Sequence, residues 1–267
     1  MKTRSIFKRL TAVLACAALA GAMLTSCGGI ENTVHSIDDL KGKTIGVQIG
    51  TTGDALAGDV ENANVEKYNK YSDAVQALKQ GKIDAVIIDS DTANVFVEKN
   101  SDIKLLEEGF ADEEYAAAVA LDNEALQKQI NNALATLNTK GTLKTIKDFY
   151  DGENAANNTG HAYTRDDTKD HSKGTLIMAT NAEFPPYEYR EGEEIVGIDV
   201  DMMYAVCDFL GYELQIDDMA FESIIPAIQS GKADVGVAGL SVTPDREKNV
   251  RFSDSYTTTH LVVMVRK

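Results

Sequence analysis

The sequence predicts an α/β protein in which two similar β-turn-helix-strand units enclose a ligand site. Two observations carry the prediction. The first is a grammar written twice, at 74–89 and again at 224–239: a helical apolar stripe (Ala74, Val75, Ala77, Leu78; then Ile224, Ile225, Ala227, Ile228), followed by Gly81 or Gly231 where a glycine closes a helix. The second is the continuous apolar run after each glycine, Ala85–Ile88 and Val235–Ala238, which suits a parallel strand covered on both faces.

The elements follow in chain order. Lys2, Arg4, Lys8 and Arg9 precede an uncharged apolar run from Leu10 to Leu24, the pattern of an export signal. The run is shorter than the roughly 20 residues a helix needs to cross the hydrocarbon core. It ends at Leu24-Thr25-Ser26-Cys27, which resembles the bacterial lipoprotein cleavage box. That resemblance implies a signal peptide over 1–26, a lipidated Cys27 and a tether over 27–35; the alternative is a secretory signal with an incidental cysteine. The first unit opens with the strand Thr44–Ile49, which enters the turn Gly50-Thr51-Thr52-Gly53. Between the units, Asn123–Tyr150 reads as helix, with Leu126, Ile130, Leu134 and Leu137 on one stripe and a break at Gly141. Asp151–Lys173 is poor in large apolar residues and reads as a flexible linker. His161 and His171 lie in it among Asp166, Asp167 and Asp170, and are expected to be solvated histidines, not metal ligands. The second unit opens with Leu176–Thr180, entering Asn181-Ala182-Glu183-Phe184. Ligands of open α/β sheets collect beyond the carboxyl ends of the strands. That rule points to Thr51 and Thr52, Asp89, Asn181–Phe184 and Gly239–Ser241.

Composition narrows the function. There are 42 acidic and 26 basic residues, and four of the basic ones belong to the signal, so 42 acids face 22 bases in the exported part. Nucleic acid is a poor partner for such a surface. Of the three cysteines Cys16 leaves with the signal and Cys27 would be acylated, so Cys207 has no disulfide partner and reads as a small helix residue of the core.

At Ala179–Tyr189, Gly197–Asp201, Ala238–Arg246 and Phe252–Tyr256 the chain resembles the first lobe of the polar amino-acid-binding proteins of ABC importers, the extracellular solute-binding protein family 3 type. At Asp39–Thr52 and on to Tyr150 it resembles the second lobe and closing helices of the same family. The resemblance implies a two-lobed, type II periplasmic-binding-protein-like fold. The order is inverted, because the lobe that comes first in the family comes last here. A circular permutation accounts for this: 36–112 a second-lobe-like domain, 113–150 a hinge crossing with helices that pack on the other lobe, 151–173 the joining linker, 174–267 a first-lobe-like domain. The alternative is a pair of remnants of two adjacent binding proteins. Permutation at the interlobe segment places Lys267 and the region of Ser36 near one hinge and leaves one covalent crossing, around Gly109–Val119.

The resemblance also implies site residues. Arg246 matches the arginine that grips a ligand carboxylate with two parallel hydrogen bonds. Backbone N–H groups at Thr51 and Thr52 would add donors from the other lobe, and Asp89 matches the acceptor for the ligand's ammonium. Phe184 and Phe221 match the aromatic walls; Ser241, Gly239 and Asn181 complete the shell. Residues also have plainer readings: Asp89 as a helix cap, Phe221 as core, and Glu183 as either a specificity residue or a solvent-facing acid. Asp199 and Asp201 are assigned to structure, as a strand-end residue and a helix cap.

The expectation is therefore a lipid-anchored, extracytoplasmic solute-binding protein. It would be monomeric and without metal or cofactor, take a polar amino acid, deliver it to ABC permease subunits, and touch the membrane only through its anchor. The rival readings are a sensory or scaffold lipoprotein on the same fold, and a dehydratase-like enzyme. No nucleophile stands beside a base to favour catalysis.

Overall fold

In the computed structural model, residues 31–151, 158–165, 168 and 170–267 are described; the export signal and Cys27 lie outside them. The segment from Thr33 forms one unit. Its first half contains β1 (Thr44–Gln48), α1 (Thr52–Gly58), β2 (Asn64–Tyr68), α2 (Tyr71–Lys79), β3 (Ala85–Asp89), α3 (Ser90–Lys99), β4 (Ile103–Tyr115), β5 (Ala118–Ala120), α4 (Glu124–Thr139) and α5 (Thr142–Asp151). The second contains β6 (Thr175–Thr180), the hairpin strands β7 (Glu183–Phe184), β8 (Glu188–Glu191) and β9 (Glu194–Val196), and α6 (Ile198–Leu210). It continues with β10 (Glu213–Asp218), α7 (Ile224–Gln229), β11 (Val235–Gly236), α8 (Pro244–Glu247), β12 (Val250–Phe252) and β13 (Thr257–Arg266).

The repeated grammar becomes repeated geometry. After α2, Gly81 turns left-handed (φ 68°) and Lys82 N–H donates to the Ala77 carbonyl at 3.0 Å; after α7, Gly231 (φ 71°) does the same and Lys232 donates to Ala227 at 2.9 Å. Each helix end thus satisfies its orphan carbonyls in a Schellman-type turn, which a residue with a Cβ enters only at a cost. Three residues on, Asp84 and Asp234 clamp the preceding strand of their own sheet. The Asp84 carboxylate accepts from Thr44 N–H (2.9 Å) and the Asp234 carboxylate from Ile177 N–H (2.8 Å).

Two five-stranded sheets result, ordered β2-β1-β3-β13-β4 and β10-β6-β11-β5-β12. In each, the first three strands are paired parallel and the last two pairings are antiparallel, so that β13 in one and β5 in the other run against the remaining four. β13 departs from the expected division: although its residues follow the second unit, it pairs with β3 and β4 in the first sheet, where Leu261, Val263 and Val265 enter a core that also holds Val34, Leu40, Ile45 and Val47, and Val262 and Met264 enter the core on the other face. Two covalent crossings therefore join the sheets, β4 to β5 and β12 to β13, where the sequence suggested one. The hinge expectation also needs correction. β13 starts beside Tyr115, at the crossing, and runs about 30 Å at 3.3 Å per residue to the opposite end of the sheet, where Lys267 N–H donates to the Asp102 carbonyl. Thr33 accepts from Lys43 just ahead of β1 (2.8 Å), and Asp84, which holds Thr44 N–H, lies 3.9 Å from Arg266, so Lys267 and the Ser36 region do lie at one end, but away from the hinge.

α4 and α5 pack on α6. In α6 the stretch Ile198–Leu210 begins directly after Gly197 (φ 134°), so Asp199 and Asp201 stand in its first two turns, buried, and not at a strand end. Acids there suit the positive end of the helix dipole. Cys207 is buried on the same helix, and burial pushes its thiol up to about 12. The linker histidines are not solvated. His161 Nδ1 lies 2.5 Å from Asp201 Oδ1, and His171 Nε2 lies 3.0 Å from Asp208 Oδ1. Asp201 is fully buried and Asp208 nearly so, and buried carboxylates require partners; the linker supplies them.

Candidate functional site

The two sheets face each other across a small cavity lined by Thr51, Thr52, Asp89, Phe184, Phe221, Gly239, Ser241 and Arg246, together with Gln48, Tyr71, Glu113 and Tyr115. Residues far apart in sequence meet because both parallel strand sets end here, β1 and β3 from one sheet and β6 and β11 from the other. Asn181 does not line the cavity but braces it, accepting from Gln48 Nε2 (2.9 Å) and donating to the Met219 carbonyl (2.8 Å).

Arg246 lies in α8, a single turn capped by Thr243 Oγ1 and started by Pro244. Its guanidinium donates to the Ser241 carbonyl (2.8 Å) and, across the cleft, to the Gly50 carbonyl (3.1 Å), while resting 5.5 Å over the Phe221 ring. Two carbonyls use two of its five N–H groups. Asp89, at the end of β3, does what its plainer reading required: Oδ1 caps α3 through Asp91 N–H (2.9 Å) and Thr92 N–H (3.5 Å). It also does more, because Oδ2 accepts from Tyr115 Oη and Thr259 Oγ1, each at 2.7 Å. Burial raises its pKa to about 6 against those hydrogen bonds.

Thr51 caps α1 by accepting from Asp54 N–H (3.2 Å), and its own N–H is spent on the Gln48 carbonyl (3.4 Å), so that amide is not the donor expected. Thr52 instead presents its hydroxyl, to Glu113. Gly239 takes φ 54°, and its N–H donates to Asp199 Oδ2 (2.9 Å), which also accepts from Tyr256 Oη (2.8 Å). A Cβ at Gly239 would sit 2.7 Å from the Phe184 ring. Phe184 stacks on Tyr187 and tilts against Tyr71 and Tyr115, an aromatic wall of which the sequence showed only one member. Glu183 turns out of the cavity to pair with Lys70 of the other sheet.

Gln48, Tyr71, Glu113 and Tyr115 were missed. For the last two a signal existed: on a strand, i and i+2 share a face, so the face of β4 that buries Tyr115 also aims Glu113 inward. Further bonds tie the sheets across the cleft, Tyr187 Oη to Asp91 Oδ2 (2.6 Å) among them. The cavity leaves about 20 Å³ for the centre of a water-sized sphere, room for roughly one water, which needs about 10–15 Å³ on that measure. Room for an amino acid therefore requires the sheets to part or the lining side chains to turn.

Residues 176–267 match the family model of bacterial extracellular solute-binding proteins, family 3. The matched segment is about a third of the chain. Arg246, Ser241, Phe184 and Phe221 all fall within it. Similar proteins include the arginine-binding extracellular protein ArtP of Bacillus subtilis, 42% identical over 95 residues, which are 36% of this chain and 37% of that protein. The L-cystine-binding protein TcyJ of Escherichia coli is 34% identical over 126 residues, 46% of this chain and 47% of that one. Among solved structures, the arginine-bound form of domain 1 from TmArgBP is 38% identical over 36% of this chain and 82% of that one, with a TM-score of 0.31. The chain thus spans between about a third and a half of the length of these two curated relatives.

Proposed function

We propose that this chain captures a polar amino acid in the cavity between its two sheets and presents it, from the outer face of the cytoplasmic membrane, to an ABC importer. The observation that carries the reading is that Arg246 and Asp89, from opposite ends of the sequence and opposite sheets, line one cavity with aromatic walls. A free amino acid offers a carboxylate, an ammonium and a side chain. In this reading Arg246, Ser241 and Thr52 take the carboxylate, Asp89 and the Gly239 carbonyl take the ammonium, and Phe184 and Phe221 flank the side chain. A solute held from both sheets stabilises the closed arrangement by bridging them. The names of the relatives make arginine and cystine the first solutes to try.

The circularly permuted order belongs to the same proposal: the linker after Asp151 joins what are chain ends in the family, and one unit with two complete sheets is hard to reconcile with two remnants. So does anchoring through Cys27, for which the support is the sequence alone. Among the described residues no helix is long and apolar enough to cross a membrane. Binding is preferred to catalysis because Asp89 and Glu113, the acids that line the cavity among the described residues, are each held by hydroxyls, and Asp89 by cap bonds as well.

Titration calorimetry of residues 28–267 against the twenty amino acids tests the reading. Heat with at least one, lost in Arg246→Ala and weakened in Asp89→Ala, is the expected result. Silence across all twenty refutes it.

A further inference from the structure

Glu113 is the group in the cavity that the reading above leaves without a task. It lies on β4 with its side chain turned in, only 8% exposed. Oε1 accepts from Ser241 Oγ at 2.9 Å and from Thr52 Oγ1, so hydroxyls from opposite sheets converge on a single carboxylate oxygen. The Arg246 charge favours its ionised form, while burial, the larger influence, opposes it. Thr52, Ser241 and Arg246 are also the groups assigned above to the solute's carboxylate. A second carboxylate cannot enter the same nest beside the first, since like charges at such range exclude each other unless one takes up a proton.

We propose that Glu113 is a specificity-determining residue, an in-built carboxylate seated where the solute's own carboxylate is received, so that a solute binds only by displacing it. The proposal rests on the assignment of Thr52, Ser241 and Arg246 under Proposed function. It has two consequences. Glu113 taxes every solute that bears a carboxylate and spares one that lacks it. And with no solute bound it draws the sheets together, because its two hydroxyl donors come from different sheets.

L-arginine and agmatine differ only in the α-carboxylate and serve as paired probes. Calorimetry on the full chain, wild type against Glu113→Gln and Glu113→Ala, is expected to show L-arginine binding tighter in both variants by about tenfold, the scale of one hydrogen bond to a charged group. Agmatine is expected to change little. If both probes weaken together, Glu113 is a partner for the solute's cation and the proposal fails; if neither changes, or both tighten equally, it also fails. Should L-arginine and the other amino acids give no heat with any form, the binding reading itself falls, and solution X-ray scattering then decides the role of Glu113. Glu113→Ala is expected to enlarge the radius of gyration of the solute-free protein, and an unchanged radius overturns the proposal.

Discussion

Asp199 shows how a single side chain outside the cavity shapes it. Fully buried, it accepts from Gly239 N–H and Tyr256 Oη, and so fixes the loop that forms the cavity floor. Burial raises its pKa to about 6, and Glu188, completely buried beside it, is pushed well above the usual carboxylate range by burial and by the Asp199 charge. Both shifts have the same sign. Between about pH 4, where an unfolded aspartate titrates, and pH 6 the folded chain holds more protons than the unfolded one. The stability these groups contribute is therefore greatest at the acid end and falls as pH rises through 6. Asp199→Asn keeps an acceptor for Gly239 and is expected to flatten the decline in urea midpoint between pH 4 and 6.5; a slope equal to wild type would mean the decline arises elsewhere. Reading at this scale from sequence was uneven. Arg246, Ser241 and Phe184 stand out because each sits in a distinctive local run. Glu113 does not, since Asp112-Glu113-Glu114 looks like a solvated acidic stretch until the strand it occupies is known to present alternate residues inward.

At the scale of the element, α6 depends on the residue just before it and on what lies over it. A Cβ at Gly197 would fall 2.1 Å from the Tyr187 carbonyl oxygen, at φ 134°, with backbone and not a flexible side chain in the way. Gly197→Ala is expected to cost more than about 3 kcal/mol, the range of changes that force backbone strain on a packed site, read as a lower denaturant midpoint; a loss under about 1 kcal/mol would show that the β8–β9 hairpin yields easily. The His161–Asp201 contact gives the linker a pH-dependent hold. The hydrogen bond to Asp201 raises the His161 pKa, so its stabilisation is complete below about 6.5 and is lost as pH rises through the raised, folded value. The stability difference between wild type and His161→Gln should accordingly be larger at pH 6 than at pH 8.5, and a difference independent of pH would contradict the pairing. Helices α2 and α7 and strands β3 and β11 could be read in advance because apolar spacing and a closing glycine state them locally. The docking of the linker could not, because it answers to buried acids on another element.

For the whole molecule, the doubled β-turn-helix-strand pattern disclosed the class of fold; the exchanged order of the lobes, read from the motif order, belongs to the proposal. What no local pattern revealed was the destination of β13. Its apolar run Leu261–Val265 suits any strand with both faces covered, and only pairing with β3 and β4 assigns it to the first sheet. That assignment carries a prediction for the permutation. Since Thr33 and Arg266 both lie at the start of β1, a short Gly-Ser bridge from Lys267 to Thr33 should span the gap. A chain so closed and reopened between Asp151 and Lys173 is expected to fold to the same circular dichroism spectrum and to melt within a few degrees of the parent. Aggregation or loss of helix would show that the present order of lobes is required.

The placement of β13 also governs how the protein would respond to force. β4 runs antiparallel beside it from end to end, and β3 does so on the other side along Leu261–Met264. A pull on Lys267 along the strand axis would load both ladders in shear, so that many hydrogen bonds resist at once instead of parting one after another. Force applied there would reach the β12–β13 crossing only after those ladders had yielded together.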